Sequence, residues 1–217
     1  MSNKIAVIFS GCGFLDGTEI NEAVLALLAI EEANYQYEVY APNIDQHHVI
    51  NHITGEECSE SRNVLVESSR IVRGKALPLE NLNPHDFDAL IIPGGYGVAK
   101  NLSDFASKGK DFSINSQLLH ICLTFHTLNK PAGYICIAPA LLPKIYGDGV
   151  ICTIGNDKDT ARAISACGGV HKEVSVEEVI VDTERKVVST PAYMLANNLV
   201  EARIGIKKLV DTVIGMI

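Results

Sequence analysis

Cys136 lies in the run PAGYICIAPALLP (131–143), at the point where a strand should end and a helix begin. Residues 131–135 read as a short buried strand. Pro139 suits the first turn of a helix, where its missing N–H costs little, and residues 137–146 read as that helix. A thiol on such a turn is pushed outward, and the helix start favours its thiolate. This is the logic of a nucleophile elbow with sulfur in place of a hydroxyl. The competing reading is a buried structural cysteine. A second element is the loop Pro93-Gly94-Gly95-Tyr96-Gly97. Its glycines let backbone amides approach a ligand closely, and one such N–H, with the amide after Cys136, could hold a developing oxyanion. Taken alone, the loop is equally a tight turn. The third element is an acid. Glu19 and Glu22 stand about one helical turn apart and share a face. A carboxyl held against a thiolate has a raised pKa from like charge and can move protons at neutral pH. Either glutamate is also read as a solvated charge favoured by the helix dipole.

The elements that must position these groups alternate between strand and helix patterns. Residues 5–10 (IAVIFS) form a short apolar run of the kind found in parallel strands covered on both faces. Asp16 or Thr18 is expected to cap a helix running to about Ala33, in which Ile20, Val24, Leu27 and Leu28 give helical periodicity. Strands are expected over 37–40 and 88–92, and helices over 63–70 and 115–128. Residues 42–60 are poorly patterned, and 74–84 read as loop. Residues 150–154, 157–167 and 170–174 read as strand, helix, strand. Residues 179–181 and 187–189 flank a turn and predict a hairpin. Residues 192–215 read as the last helix. Repeated strand–helix units imply a mostly parallel sheet between two helical layers, with the site beyond the carboxyl ends of the strands. The loops 10–22, 93–100 and 136–140 are expected there.

Composition narrows the class of function. The chain has 217 residues, 47% of them hydrophobic, with 18 basic and 26 acidic side chains and a net charge of −8. One domain over 1–217 is expected, without repeats or linkers. No basic stripe is available to neutralise phosphates, so nucleic acid is not an expected partner. No apolar run reaches membrane-spanning length. Six scattered cysteines form no C-x-x-C pair. The start MSNKIAVIFS shows no signal-peptide pattern. Free thiols in the cytoplasm are therefore expected. His47, His48 and His52 cluster, yet no nearby set completes a ligand group of known spacing, so no metal is assigned. Neither a GxxxxGK[ST] nor a GxGxxG pattern occurs, and no cofactor is assigned.

Several segments together resemble the PfpI-like branch of the class I glutamine amidotransferase-like superfamily, and within it the ElbB-like group, named for enhancing lycopene biosynthesis. They are SGCGFLDGTEINEAV (10–24), VINHITGE (49–56), RNVLVESSRIVRG (62–74), ALIIPGGYGVAKNLSDFA (89–106), YICIAPALLPKI (134–145) and TPAYMLANN (190–198). The resemblance implies a flavodoxin-like α/β/α sandwich, usually dimeric, with a mostly parallel sheet and here a C-terminal hairpin. It places the elbow cysteine at Cys136, the helix-borne glutamate at Glu22 with Glu19 as the other candidate, and the loop amide donors at Gly95 and Ile137.

The departures are informative too. Many PfpI-like proteins carry histidine directly after the cysteine, where this chain has Ile137. His126 lies on the preceding helix, with no sequence argument that it reaches the sulfur, and reads as a structural or surface residue. Glutamine amidotransferases need a histidine and an acid two residues apart near the C-terminus. The corresponding stretch, 188–194 (VSTPAYM), has neither, so glutamine hydrolysis is not expected. The resemblance implies instead cofactor-independent glyoxalase chemistry on a small 2-oxoaldehyde such as glyoxal, with deglycase-like activity as an associated claim. A cysteine redox sensor or stress-response interaction protein is the alternative, since a thiol beside a carboxylic acid also oxidises readily. An intracellular peptidase is a third reading, opposed by the missing histidine.

Overall fold

Short runs of apolar residues build the middle of the sheet because both of their faces are covered. The computed structural model describes residues 3–217. Its first half runs β1 (Lys4–Ile8), α1 (Ile20–Glu32), β2 (Gln36–Ala41), β3 (Val49–Ile50), β4 (Glu57–Cys58), α2 (Val64–Ile71), β5 (Leu77–Pro78), β6 (Ala89–Ile92), α3 (Tyr96–Lys100) and α4 (Phe105–Lys108). The second half runs α5 (Ser116–Thr127), β7 (Ala132–Ile135), α6 (Leu142–Tyr146), β8 (Ile151–Cys152), α7 (Lys158–Ala166), β9 (Val170–His171), β10 (Ile180–Asp182), β11 (Val187–Thr190) and α8 (Leu199–Ile214). Seven strands form one sheet in the order β10-β11-β7-β6-β1-β2-β5. All neighbours are parallel except the β10–β11 hairpin, which is the hairpin the sequence predicts. Every residue of β6, β7 and β11 is buried. Helices α1 and α8 pack together against the sheet, while α5 packs with α6 and against β6. The whole is a flavodoxin-like α/β fold.

Because β1, β6, β7 and β11 run in the same direction side by side, the loops after them converge at one edge. Backbone bonds lace two of these loops together: Tyr96 N–H donates to the Phe14 carbonyl, Gly97 N–H to Gly17 and Glu19 N–H to Gly94. The buried Asn101 side chain adds bonds to the Ser10 and Asp16 carbonyls, both at 2.8 Å.

Five local expectations are corrected. Helix α1 is capped by Glu19, whose carboxylate accepts the Glu22 N–H at 2.6 Å. Asp16 and Thr18 are occupied elsewhere, accepting the Ile50 and Ser10 N–H groups and folding the loop back on itself. The supposed loop 74–84 contains edge strand β5, which pairs with Tyr40–Ala41. Strands β8 and β9 pair with each other in a separate two-stranded sheet and do not join the main one. The helix after Cys136 is split into a 3₁₀ turn over Ala138–Leu141 followed by α6. Pro143, lacking an N–H, cannot carry an α-helical bond across that junction. The last helix starts at Leu199 and not at 192. Pro191 and a left-handed Ala192 (φ 44°) make a separate turn, and the Asn198 side chain caps α8.

Candidate active site

Cys136 sits at the end of β7 in the left-handed region, at φ 63°. A non-glycine residue there is strained and is held by its surroundings. Its own N–H donates to the Thr190 carbonyl at 2.9 Å, fixing the turn to β11. The N–H groups of Gly95 and Ile137 both donate toward the sulfur. Gly95, at φ 96°, is the N-cap residue of α3. A side chain at Gly95 would run into the backbone of Gly17 and Glu19, and one at Gly94 would strike the Cys136 side chain. The two glycines are thus needed for the loop to reach the thiol.

Glu22 approaches the sulfur from the first turn of α1. It is fully buried and hydrogen-bonded to Cys136. Its two carboxyl oxygens accept the Gly94 N–H at 3.0 Å and the Tyr193 N–H at 3.1 Å. Burial first, and then the charge of Glu19, raise its pKa to about 8 against the three hydrogen bonds that lower it. Cys136 is also pushed up, by burial and then by the Glu22 carboxylate, with the Gly95 and Ile137 amides opposing. This corrects the expectation that the helix start yields an acidic thiol. The 3₁₀ turn after Cys136 is short, and its dipole is too weak to offset desolvation. Cys136 and Glu22 titrate as a pair. Placing a proton on Glu22 removes the charge that opposes the thiolate.

The two glutamates have different places. Glu22 meets the sulfur, whereas Glu19 caps α1 and lines the cavity above it. His126 is exposed on α5, with its ring edge-on to Tyr146 at 5.2 Å, and does not line that cavity. The cavity has a volume of about 350 Å³ and is walled by Phe14, Tyr96, Phe105, Ile137, Tyr193 and Met194. No histidine is among its lining residues. Among the described residues, no group of three or more His, Cys, Asp or Glu side chains is placed to hold a metal ion. Sequence reasoning missed Tyr193, which acts on Glu22 through its backbone N–H and so leaves no side-chain signature. It also missed Phe14 and Met194. The available signal was the resembling segments that carry them, SGCGFLDGTEINEAV for Phe14 and TPAYMLANN for Tyr193 and Met194.

The chain is similar along 98% of its length to the human glutamine amidotransferase-like class 1 domain-containing protein 3, mitochondrial, at 42% identity and covering 83% of that protein. It is 42% identical to the rat ES1 protein homolog, mitochondrial, again along 98% of its length and covering 84% of the relative. No protein-family model matches the chain. Among solved structures, it superposes on an isoprenoid biosynthesis protein with an amidotransferase-like domain from Ehrlichia chaffeensis. The TM-score is 0.92, with 35% identity and 98% of each chain covered. It shares its fold at 13% identity and a TM-score of 0.63 with glyoxalase III from Candida albicans, covering 98% of this chain and 96% of that one. The mitochondrial relatives overturn the expected cytoplasmic location. Free thiols do not separate the cytosol from other reducing compartments. With these relatives matched over nearly its whole length, the chain belongs to the ES1 family of glutamine amidotransferase-like class 1 domain proteins.

Proposed function

We propose that this protein is a glutathione-independent glyoxalase of the ElbB-like kind, converting a 2-oxoaldehyde to a 2-hydroxy acid. The observation that carries the reading is a buried carboxyl, with a pKa near neutrality, hydrogen-bonded to a thiol that also receives two backbone N–H groups. Ionised Glu22 takes the Cys136 thiol proton as the sulfur adds to the aldehyde carbon. The carbonyl oxygen becomes an oxyanion held by the Gly95 and Ile137 amides and then takes that proton back from Glu22, which is again a base. Glu22 removes the hydrogen from the former aldehyde carbon, giving an enediol, and returns a proton to the neighbouring carbon. The first carbon is now oxidised to a thioester and the second reduced to an alcohol, so no outside oxidant is needed. Water cleaves the carbon–sulfur bond and restores the thiol. The glyoxalase III with this fold is a precedent for the scaffold.

Purified protein, treated with chelator and without glutathione, should form glycolate from glyoxal, identified by chromatography. Hydroxy acid no higher than in Cys136→Ala, from glyoxal and from larger 2-oxoaldehydes alike, would overturn the reading and leave a redox sensor as the better account. That outcome would be read by peroxide-dependent oxygen addition to Cys136. We also propose a homodimer. The apolar stripe Ile20, Val24 and Leu28 on α1 is exposed and suits a second copy. Light scattering showing only single chains at micromolar concentration would refute it.

A further inference from the structure

The cavity over Cys136 is large for a reaction on glyoxal, which has no side chain to fill it. A volume of about 350 Å³ falls in the range that takes drug-sized ligands. Its walls are mostly apolar, and the Phe14 and Tyr96 rings are left 48% and 50% exposed. Phe14 also meets the His52 ring edge-on at 5.5 Å, and the aromatic surface left open beside the nucleophile is surface that a ligand can cover. The charged residues that line it have one sign. Glu19 and Asp157 line the cavity, and no lysine, arginine or histidine does. Hydrogen bonds from the Thr160 N–H and side chain hold the Asp157 carboxyl below its usual range, so it stays anionic. Lys100, on α3, is turned away. Its ammonium donates to the Leu15 carbonyl at 2.8 Å, lies over the Tyr96 ring, and faces a separate cavity with His48 and Asp104.

We infer that the substrate is a 2-oxoaldehyde bearing an uncharged apolar tail, aryl or long alkyl, and that carboxylate- or phosphate-bearing analogues are rejected. This rests on the glyoxalase reading of Cys136 and Glu22. The reacting end meets the sulfur and the two amides, and the tail lies against Phe14 and Tyr96. An apolar pocket separates substrates by roughly 10-fold or more per added group it can cover, and an acidic rim repels anions before they reach the thiol.

Two measurements test this, the second of them independent of turnover. In the first, kcat/KM is compared for glyoxal, phenylglyoxal and 4-carboxyphenylglyoxal, reading the hydroxy acids against the Cys136→Ala background. Phenylglyoxal should exceed glyoxal by about 10-fold or more, with the carboxylate analogue falling below phenylglyoxal by a similar factor. Phe14→Ala should shrink the phenylglyoxal advantage, and Thr160→Lys should recover part of the loss for the carboxylate. In the second, Cys136 alkylation by N-phenyl iodoacetamide, iodoacetamide and iodoacetate is followed by mass spectrometry. Each rate is divided by that of a free thiol, and the expected order is aryl, neutral, anionic. A flat or reversed order overturns the inference whatever the turnover. Turnover of glyoxal at least as good as that of phenylglyoxal overturns it as a substrate assignment and leaves the glyoxalase reading intact. The expected alkylation order without turnover of any aldehyde sinks that reading and supports the apolar, anion-excluding pocket.

Discussion

Two buried thiols of this protein sit beside a polar partner, and only one of the two opens onto a cavity. Cys122 projects from the middle of α5 and is hydrogen-bonded to the Tyr134 hydroxyl, which in turn meets the Tyr146 hydroxyl at 2.9 Å. Burial pushes Cys122 up to about 12. Cys136 is buried to a similar degree and is also pushed up. Burial therefore does not distinguish them. The backbone does. Cys136 stands in a left-handed turn at the end of a strand, receives two N–H groups, and opens onto a cavity. Its partner, Glu22, can carry a proton near neutral pH, whereas a tyrosine beside Cys122, pushed well above its usual range by burial, cannot.

The largest break in this comparison comes from exchanging the thiols for alanine. Cys136→Ala should reduce aldehyde turnover to background. Cys122→Ala should leave kcat/KM within about 2-fold while lowering stability by about 1–3 kcal/mol, as buried truncations do. Denaturant melts and product assays on the two variants check both halves. Next in size is the pair of glutamates. Glu22→Gln should lower the rate by roughly 10²-fold or more, because it keeps the shape and removes the proton carrier. Glu19→Gln should act mainly on the cap of α1, at a cost of about 1 kcal/mol of stability. A larger rate loss in Glu19→Gln would reverse their assigned roles.

The fold was legible where one run of residues carries the signal. Residues 5–8, 89–92 and 132–135 are apolar throughout because both faces are covered, and the Gly94-Gly95 and Cys136 turns follow directly from them. Edge strand β5 was not legible, since two residues ending in proline become a strand only because the Tyr40–Ala41 edge is there to pair with. The cap of α1 was misread because Asp16 and Thr18, good caps in isolation, bond to distant loops. For the site, spacing alone left Glu19 and Glu22 equivalent, and the family resemblance favoured Glu22. Tyr193 was invisible because it contributes an amide. The raised thiol was missed because a sequence shows the turn but not the desolvation around it.

A smaller effect concerns stability and pH. The folded-state pKa of Glu22, about 8, lies above its unfolded value. Its contribution to stability is thus fully present below the unfolded pKa, near 4.5, and is lost as pH rises through about 8. The Tm of Glu22→Gln relative to the parent should increase between pH 5 and pH 9, read by calorimetry. A constant difference would mean that Glu22 is ionised in the folded protein throughout. Smaller still, Tyr134→Phe should cost about 1 kcal/mol through its lost hydrogen bonds, with turnover unchanged. A fall in turnover would tie the Cys122 cluster to the site.

The claim at the centre is that Cys136 and Glu22 react as one proton-sharing pair. The most direct test is the pH dependence of kcat/KM for hydroxy-acid formation by the parent protein and by Glu22→Gln. The parent should rise with unit slope and level off near pH 8, where the pair loses its first proton. Glu22→Gln should lack that step and run at least about 10²-fold lower. A flat parent profile from about pH 6 to pH 9, or a Glu22→Gln profile that keeps both the step and the rate, would contradict the pairing.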